Sequence, residues 1–235
     1  MKIAMIGAGY VGLVSGVCFS DFGHEVICVD KDPEKISTLN KGDIPIFEPG
    51  LQELAAKNVA AGRLSFTTDL AEAISDAAAV FIAVGTPSRR GDGHADLSYV
   101  VAAAEEVAKL AKNFLVVVTK STVPVGTNRM VEKTMRAANP DLKFDVASNP
   151  EFLREGAAID AFMKPDRVVV GVQSERAAGV MSEIYRPLYL RDFPIVTTDL
   201  ESAEVIKYAA NAFLAAKITF INEIAALCER TGADV

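Results

Sequence analysis

Residues 2–12 read KIAMIGAGYVG: a short apolar run, Lys2 to Ile6, then Gly7-Ala8-Gly9-Tyr10-Val11-Gly12, followed at once by an amphipathic stretch, Leu13 to Phe22. A G-x-G-x-x-G between a strand and a helix has a physical meaning. Gly7 allows the tight turn, Gly9 lets backbone N–H groups approach a pyrophosphate, and Gly12 lets helix and strand pack closely. The helix N-terminus adds partial positive charge and unpaired N–H donors where phosphates would sit. A second apolar run, Val26 to Val29, ends in Asp30, at the spacing of the acid that takes ribose hydroxyls in such a unit. Together these define a dinucleotide-binding βαβ unit with a preference for NAD.

Half of the 235 residues are hydrophobic, enough for a sizeable core. The net charge is −7 without a Lys/Arg block, which argues against nucleic acid and anionic membrane as partners. An anionic ligand would have to be held by helix ends and single basic residues. Three cysteines without a C-x-x-C point to a reduced, cytoplasmic protein. No uninterrupted apolar run reaches the length of a membrane span.

Apolar runs alternate with amphipathic ones along the chain, the pattern of an α/β, doubly wound, Rossmann-like and mostly parallel sheet. Helices are expected over Pro33–Asn40, Leu51–Ala61, Leu97–Lys112, Asn128–Ala138 and Glu175–Tyr185. Strands are expected over Leu64–Phe66, Ala79–Val84, Phe114–Thr119, Phe144–Ser148, Val168–Val172 and Ile195–Thr197. Asp69 with Glu72 has capping-box spacing. The polar punctuation is concentrated: GAGYVG, Asp30, Gly85-Thr86-Pro87, STVPVG (121–126) and NPEFLREG (149–156) each follow the carboxyl end of an expected strand. In an open parallel sheet those ends line one rim, along which ligands bind.

Thr198 and Glu201 have capping-box spacing for a last helix that runs to about Arg230, with Gly232 as its stop. Its segment Val205–Ala216 is apolar on almost every side and is expected to be buried all round. Lys207 and Asn211, four apart, share a face. A buried Lys207 needs a partner, and both a structural salt bridge and a functional role are open. One Rossmann-like domain cannot cover such a helix, so a partner chain or a following segment is expected to. The chain is therefore divided into a domain over 1–197 and the start of a helical region over 198–235, and is expected to be truncated.

GAGYVG, PIFEPGL (45–51), VGTP (84–87) with DGHADLSYV (92–100), KSTVPVG (120–126), SNPEFLREG (148–156) and AEVIKYAANAFLAAKITFINE (203–223) together resemble the UDP-glucose 6-dehydrogenases. The resemblance runs from Met1 to Val235, the N-terminal half of such an enzyme. It implies two successive NAD-dependent oxidations of one carbon, alcohol to aldehyde to acid, on UDP-glucose. Gly7, Gly9, Tyr10, Val11 and Gly12 would hold the pyrophosphate, and Asp30 the adenosine ribose with Lys35 nearby. Thr86 and Thr122 would contact cofactor, and Glu155 would lie by the nicotinamide. Glu151, Phe152, Leu153, Arg154 and Glu155 would contact the nucleotide sugar, Lys207 and Asn211 would stabilise negative charge on the reacting oxygen, and Thr122 and Glu151 would position water and protons. The family's catalytic cysteine belongs to a G-G-x-C stretch beyond Val235. Cys18, Cys28 and Cys228 read instead as core residues, and no metal site is expected. The resemblance further implies a homodimer through the long helix and a fragment that binds NAD without turnover. GDP-mannose or another nucleotide sugar, a 2-hydroxyacid or 6-phosphogluconate-type dehydrogenase, and a non-catalytic NAD-binding dimerisation module are the alternatives.

Overall fold

The apolar runs pair in the order that a doubly wound sheet requires. A computed structural model describes all 235 residues. The first half contains β1 (Lys2–Ile6), α1 (Tyr10–Asp21), β2 (Glu25–Val29), α2 (Pro33–Asn40), α3 (Leu51–Ala60), β3 (Leu64–Thr67), α4 (Leu70–Ile74) and β4 (Ala79–Ile82). Then come α5 (Ser98–Leu110), β5 (Leu115–Thr119), α6 (Thr127–Ala138), β6 (Phe144–Ser148), α7 (Ala158–Met163) and β7 (Val168–Val172). The chain finishes with α8 (Glu175–Ile184), α9 (Arg186–Tyr189), β8 (Ile195–Thr198) and α10 (Leu200–Thr231). One sheet has the order β3-β2-β1-β4-β5-β6-β7-β8. All neighbours are parallel except β6 and β7, which pair antiparallel through Ala147–Val172 and Ser148–Gly171. The five ligand-facing stretches leave β1, β2, β4, β5 and β6, so they share one rim as expected.

Each sheet face buries its own apolar cluster. One holds Phe19, Phe81, Met5 and Leu13 with residues of α3, α7 and α8; the other holds Val80, Ile82 and Val117 with residues of α4, α5 and α6. Strands buried on both faces explain runs such as Leu115–Thr119 that show no alternation. Helix α1 begins at Tyr10, inside the glycine motif and three residues before the apolar pattern begins. Helices α7 and α9 were not expected: six and four residues are too short to carry a 3.6-residue period.

Three features of α10 differ from expectation. Its cap is Asp199, whose carboxylate accepts from the N–H and hydroxyl of Ser202 at 2.7 and 2.8 Å, and Thr198 ends the strand. Burial is confined to Leu200, Ala203, Glu204 and Lys207. Beyond Tyr208 the helix leaves the sheet, and Phe213 and Phe220 are 68% and 66% exposed. Where it does cross β7 it lies close: a Cβ on Gly171 would come within 2.7 Å of the Ala203 side chain. By length and mean hydropathy (1.3) α10 meets the requirements of a bilayer span, yet its first turns are tied to the sheet by ion pairs and caps.

Lys120 follows β5 directly and is 3% exposed. Its ammonium donates to Asn149 Oδ1 at 3.1 Å and to the Tyr185 hydroxyl at 3.5 Å, and lies 5.6 Å from the Phe162 ring centre. No carboxylate pairs with it. Burial pushes its pKa down to about 8 from the ordinary 10.5, with Glu151 pulling weakly upward. Between about pH 8 and 10.5 the unfolded chain therefore holds a proton that the folded chain has lost, so this residue makes stability rise with pH. The buried thiols of Cys18 and Cys28, pushed up to about 12, act in the opposite sense. The expected outcome is that wild type gains up to about 3 kcal/mol on Lys120→Met across that window, measured by urea unfolding at a series of pH values. A pH-independent difference would show that Lys120 stays charged.

Candidate cofactor and substrate site

The turn after β1 is built by close approach. Gly7 has φ +100°, and a Cβ at residue 12 would lie 1.8 Å from the Gly7 carbonyl oxygen. At Gly9 the situation is reversed, since a Cβ there would meet nothing within 4 Å. The space over Gly9 opens into a cavity of about 760 Å³ that runs along the rim past Gly7, Asp30, Lys35 and Thr86. Its volume is of the size that holds a cofactor. Val29, Leu70 and Ala103 give it an apolar side beyond Asp30. Tyr10 and Val11 pack their side chains against the core, so what the motif offers the cavity is backbone.

Asp30 is organised for one more hydrogen bond. Its Oδ2 accepts from Ala8 N at 2.9 Å and from Lys35 Nζ at 2.8 Å, and its Oδ1 accepts from Asp32 N at 3.1 Å. Burial alone would raise its pKa. The Lys35 ammonium and the two N–H groups outweigh that and hold the carboxyl below its ordinary value. Of roughly four lone-pair positions three are used, which leaves one on Oδ1 facing the cavity side. Aspartate, open Gly9 and a free helix N-terminus are together what a dinucleotide's ribose and pyrophosphate require, so the residues present fit NAD.

Further along the rim the expected residues meet in pairs. Thr86 Oγ1 donates to the Thr122 carbonyl at 2.9 Å, joining the loops after β4 and β5, while the Thr122 side chain takes no partner. Glu151 Oε1 accepts from Lys207 Nζ at 3.0 Å, with the two side chains 14% and 8% exposed. The Phe152 ring lies between two cations, 5.1 Å from Lys207 Nζ and 4.5 Å from the Arg167 guanidinium. Lys207 thus has the salt bridge a buried ammonium needs, at the rim itself. Leu153 donates its N–H to the Glu151 carboxylate. The side chains of Arg154, Glu155 and Asn211 are exposed and make no hydrogen bond. Asn211 lies one turn past Lys207, where α10 has already left the sheet.

Several residues that organise this site escaped the sequence pattern. Asn149 receives Lys120 and Tyr185 on its oxygen and donates to the Val169 carbonyl at 2.8 Å, which fixes the start of the 149–156 loop. Glu204, 2% exposed, accepts from Gly126 N, Asn128 N and Asn128 Nδ2, so α10 caps the start of α6. Glu48 of PIFEPGL is 7% exposed and bonded to Tyr10, Gly156 and Ala158. For Glu48 and Glu204 the only signal in the sequence is an ionisable residue inside an apolar or proline-flanked stretch. Cys18 and Cys28 are buried as expected, whereas Cys228, near the free end of α10, is partly exposed. His24, in the turn between α1 and β2, is buried, with Nε2 2.9 Å from the Ile184 carbonyl oxygen.

Known proteins share this arrangement. Residues 1–189 match the NAD binding domain of the UDP-glucose/GDP-mannose dehydrogenase family and residues 201–235 match its central domain. A UDP-glucose 6-dehydrogenase of Rhizobium meliloti is 67% identical over 237 residues, covering 100% of this chain and 54% of that protein. Among solved structures, a UDP-glucose dehydrogenase from Pyrobaculum islandicum superposes with TM-score 0.94 at 43% identity, over 99% of this chain and 54% of that one. A GDP-mannose dehydrogenase from Pseudomonas aeruginosa, solved as a ternary complex, gives TM-score 0.94 at 40% identity, over 100% and 54%. The chain spans about half the length of the curated relatives it matches. It belongs to the UDP-glucose/GDP-mannose dehydrogenase family and carries that family's NAD-binding domain.

Proposed function

We propose that this chain supplies the cofactor-binding half, and part of the sugar-oxidising centre, of a UDP-glucose 6-dehydrogenase. The observation that carries the proposal is the Lys207–Glu151 pair at 3.0 Å, enclosed on the same sheet rim as the dinucleotide cavity. The 67% identity to the Rhizobium meliloti enzyme favours UDP-glucose as the sugar. The equal structural likeness to a GDP-mannose dehydrogenase makes GDP-mannose the second substrate to test. We divide the chain near Thr198, where the sheet ends and α10 begins its central region. Its distal exposed face is the proposed dimer surface. Two buried free thiols suit a reducing cytoplasm.

NAD, when bound, accepts the hydride released from the sugar carbon in each of two oxidations. Gly7, Gly9 and Gly12 bring the start of α1 against the pyrophosphate, with Tyr10 and Val11 contributing backbone. Asp30 takes a ribose hydroxyl, and Thr86 and Thr122 bound the far end of the cavity. As the alcohol loses hydride and proton, negative charge gathers on oxygen. The Lys207 ammonium, oriented by Glu151, stabilises it in a site from which water is largely excluded. Asn211 adds an amide donor when the exposed face of α10 is covered. In the second oxidation a thiolate from the C-terminal half adds to the aldehyde, the adduct loses a second hydride to become a thioester, and Glu151 and Thr122 hold the water that hydrolyses it to the acid and frees the thiol. Phe152, Leu153, Arg154 and Glu155 shape the sugar subsite.

Two outcomes test this. In calorimetry the chain binds NAD at least about tenfold more tightly than NADP, because the Asp30 carboxylate repels a 2′-phosphate, and Asp30→Ala weakens NAD by about tenfold or more. Preference for NADP contradicts the assignment. Joined after Val235 to the C-terminal half of the Rhizobium meliloti enzyme, the chain forms two NADH per UDP-glucose and few with GDP-mannose. Lys207→Met in that chimera lowers kcat by about 10²–10³. A Lys207→Met chimera with unchanged kcat would remove the lysine from the chemistry.

A further inference from the structure

Glu48 lies in the 41–50 loop between α2 and α3, in neither the dinucleotide motif nor the 149–156 loop, yet it touches both. Its Oε2 accepts from the Tyr10 hydroxyl and from Gly156 N at 2.9 Å, and its Oε1 accepts from Ala158 N at 2.8 Å. No lysine or arginine pairs with it, so a carboxylate 7% exposed is held by neutral donors alone. Burial would raise its pKa, but the Tyr10 hydroxyl and the N–H groups of Ala158 and Gly156 keep it ionised and below its ordinary value. The Tyr10 phenol is pushed up to about 12, by burial first and then by the hydrogen bond to Glu48, with a smaller contribution from Glu155. Each of the three partners belongs to a different functional segment. Tyr10 opens α1 at the pyrophosphate position, Gly156 closes the loop that carries Glu151 and Glu155, and Ala158 begins α7.

We propose that Glu48 is a positioning residue that ties the start of α1 to the end of the 149–156 loop, so that seating a dinucleotide on GAGYVG also orders the loop that meets the sugar. The proposal rests on the cofactor reading above and adds a specific link to it. Covalent separation between the linked groups is large, 38 residues from Tyr10 to Glu48 and 108 from Glu48 to Gly156, so no shorter stretch of chain can impose the same register. A buried carboxylate with every short contact satisfied has one favourable place, and moving either end leaves charge unsolvated. Pyrophosphate on the first turn of α1 restricts Tyr10, hence the Glu48 head group, hence the Gly156 and Ala158 amides.

The experiment is hydrogen exchange by mass spectrometry on the 235-residue chain with and without NAD, alongside calorimetry with NAD. In the wild type, NAD slows exchange of peptides covering residues 153–158 several-fold. Glu48→Gln keeps the shape but turns one head atom into a donor facing an N–H; exchange there quickens about tenfold without NAD, and NAD no longer slows it. The Tyr10 phenol in that variant ionises at lower pH, read as tyrosinate absorbance, a change that looser packing elsewhere would not produce. Should Glu48→Gln fail to fold, Glu48→Asp, which keeps the charge but draws it back by one methylene, shows the same loss in smaller degree. Wild-type exchange rates in the variant without NAD overturn the positioning role. Saturating NAD heat with no change at 153–158 in the wild type overturns the link while leaving the cofactor reading intact, and absence of NAD heat overturns both.

Discussion

A Cβ on residue 12 would fall 1.8 Å from the carbonyl oxygen of Gly7, so α1 can start where it does only with glycine at that position. The rest of the site follows from that contact. The first turn of α1 is brought up against β1, its free N–H groups face the rim, and the Ala8 N–H reaches Asp30 across to β2. With β1 paired to both β2 and β4, the same crossing sets the distance from the pyrophosphate position to Thr86 and, through the Thr122 carbonyl, to the end of β5. A net charge of −7 gives no long-range attraction for a dinucleotide or a nucleotide sugar. Attraction has to be local, and it comes from a helix end and a few single cations such as Lys35 and Lys207.

Charge in the interior is handled in three ways. Lys207 has a carboxylate partner, Glu151, at 3.0 Å. Glu48 and Glu204 are held by hydrogen-bond donors on other segments, which makes them joints between distant parts of the chain. Lys120 has only neutral oxygens and aromatic rings, and its charged form is correspondingly weakened. Removing one side of the first two arrangements strands a buried charge, a cost of several kcal/mol. Removing Lys120 strands nothing, because Tyr185 still donates to Asn149.

What could be seen in the sequence was set by local periodicity and by punctuation. Strands buried on both faces announce themselves as apolar runs, and loops leaving their carboxyl ends collect glycine, threonine and acids, so Gly7, Gly9, Asp30, Thr86 and Glu151 were legible. Glu48, Lys120 and Asn149 were not, since their partners are 20 to 110 residues away and no spacing rule connects them. Asn211 differs again. Helical spacing correctly set it on the Lys207 face, but the helix leaves the sheet before reaching it. The expected all-round burial of Val205–Ala216 rested on apolarity alone, and apolarity does not say what covers a surface.

Helix α10 is also a lever. Its 32 residues extend about 48 Å, of which only about the first 12 Å touch the sheet. The fulcrum is the crossing over Gly171, and close to it lie the contacts of Glu201 with Arg129, Glu204 with α6 and Lys207 with Glu151. A tilt of about 3° that carries the far end roughly 2 Å shifts the axis at Lys207 by only about 0.3 Å, yet hydrogen bonds are sensitive on that scale. Force applied to the distal turns is thereby geared down into a fine adjustment of the contact between Lys207 and Glu151.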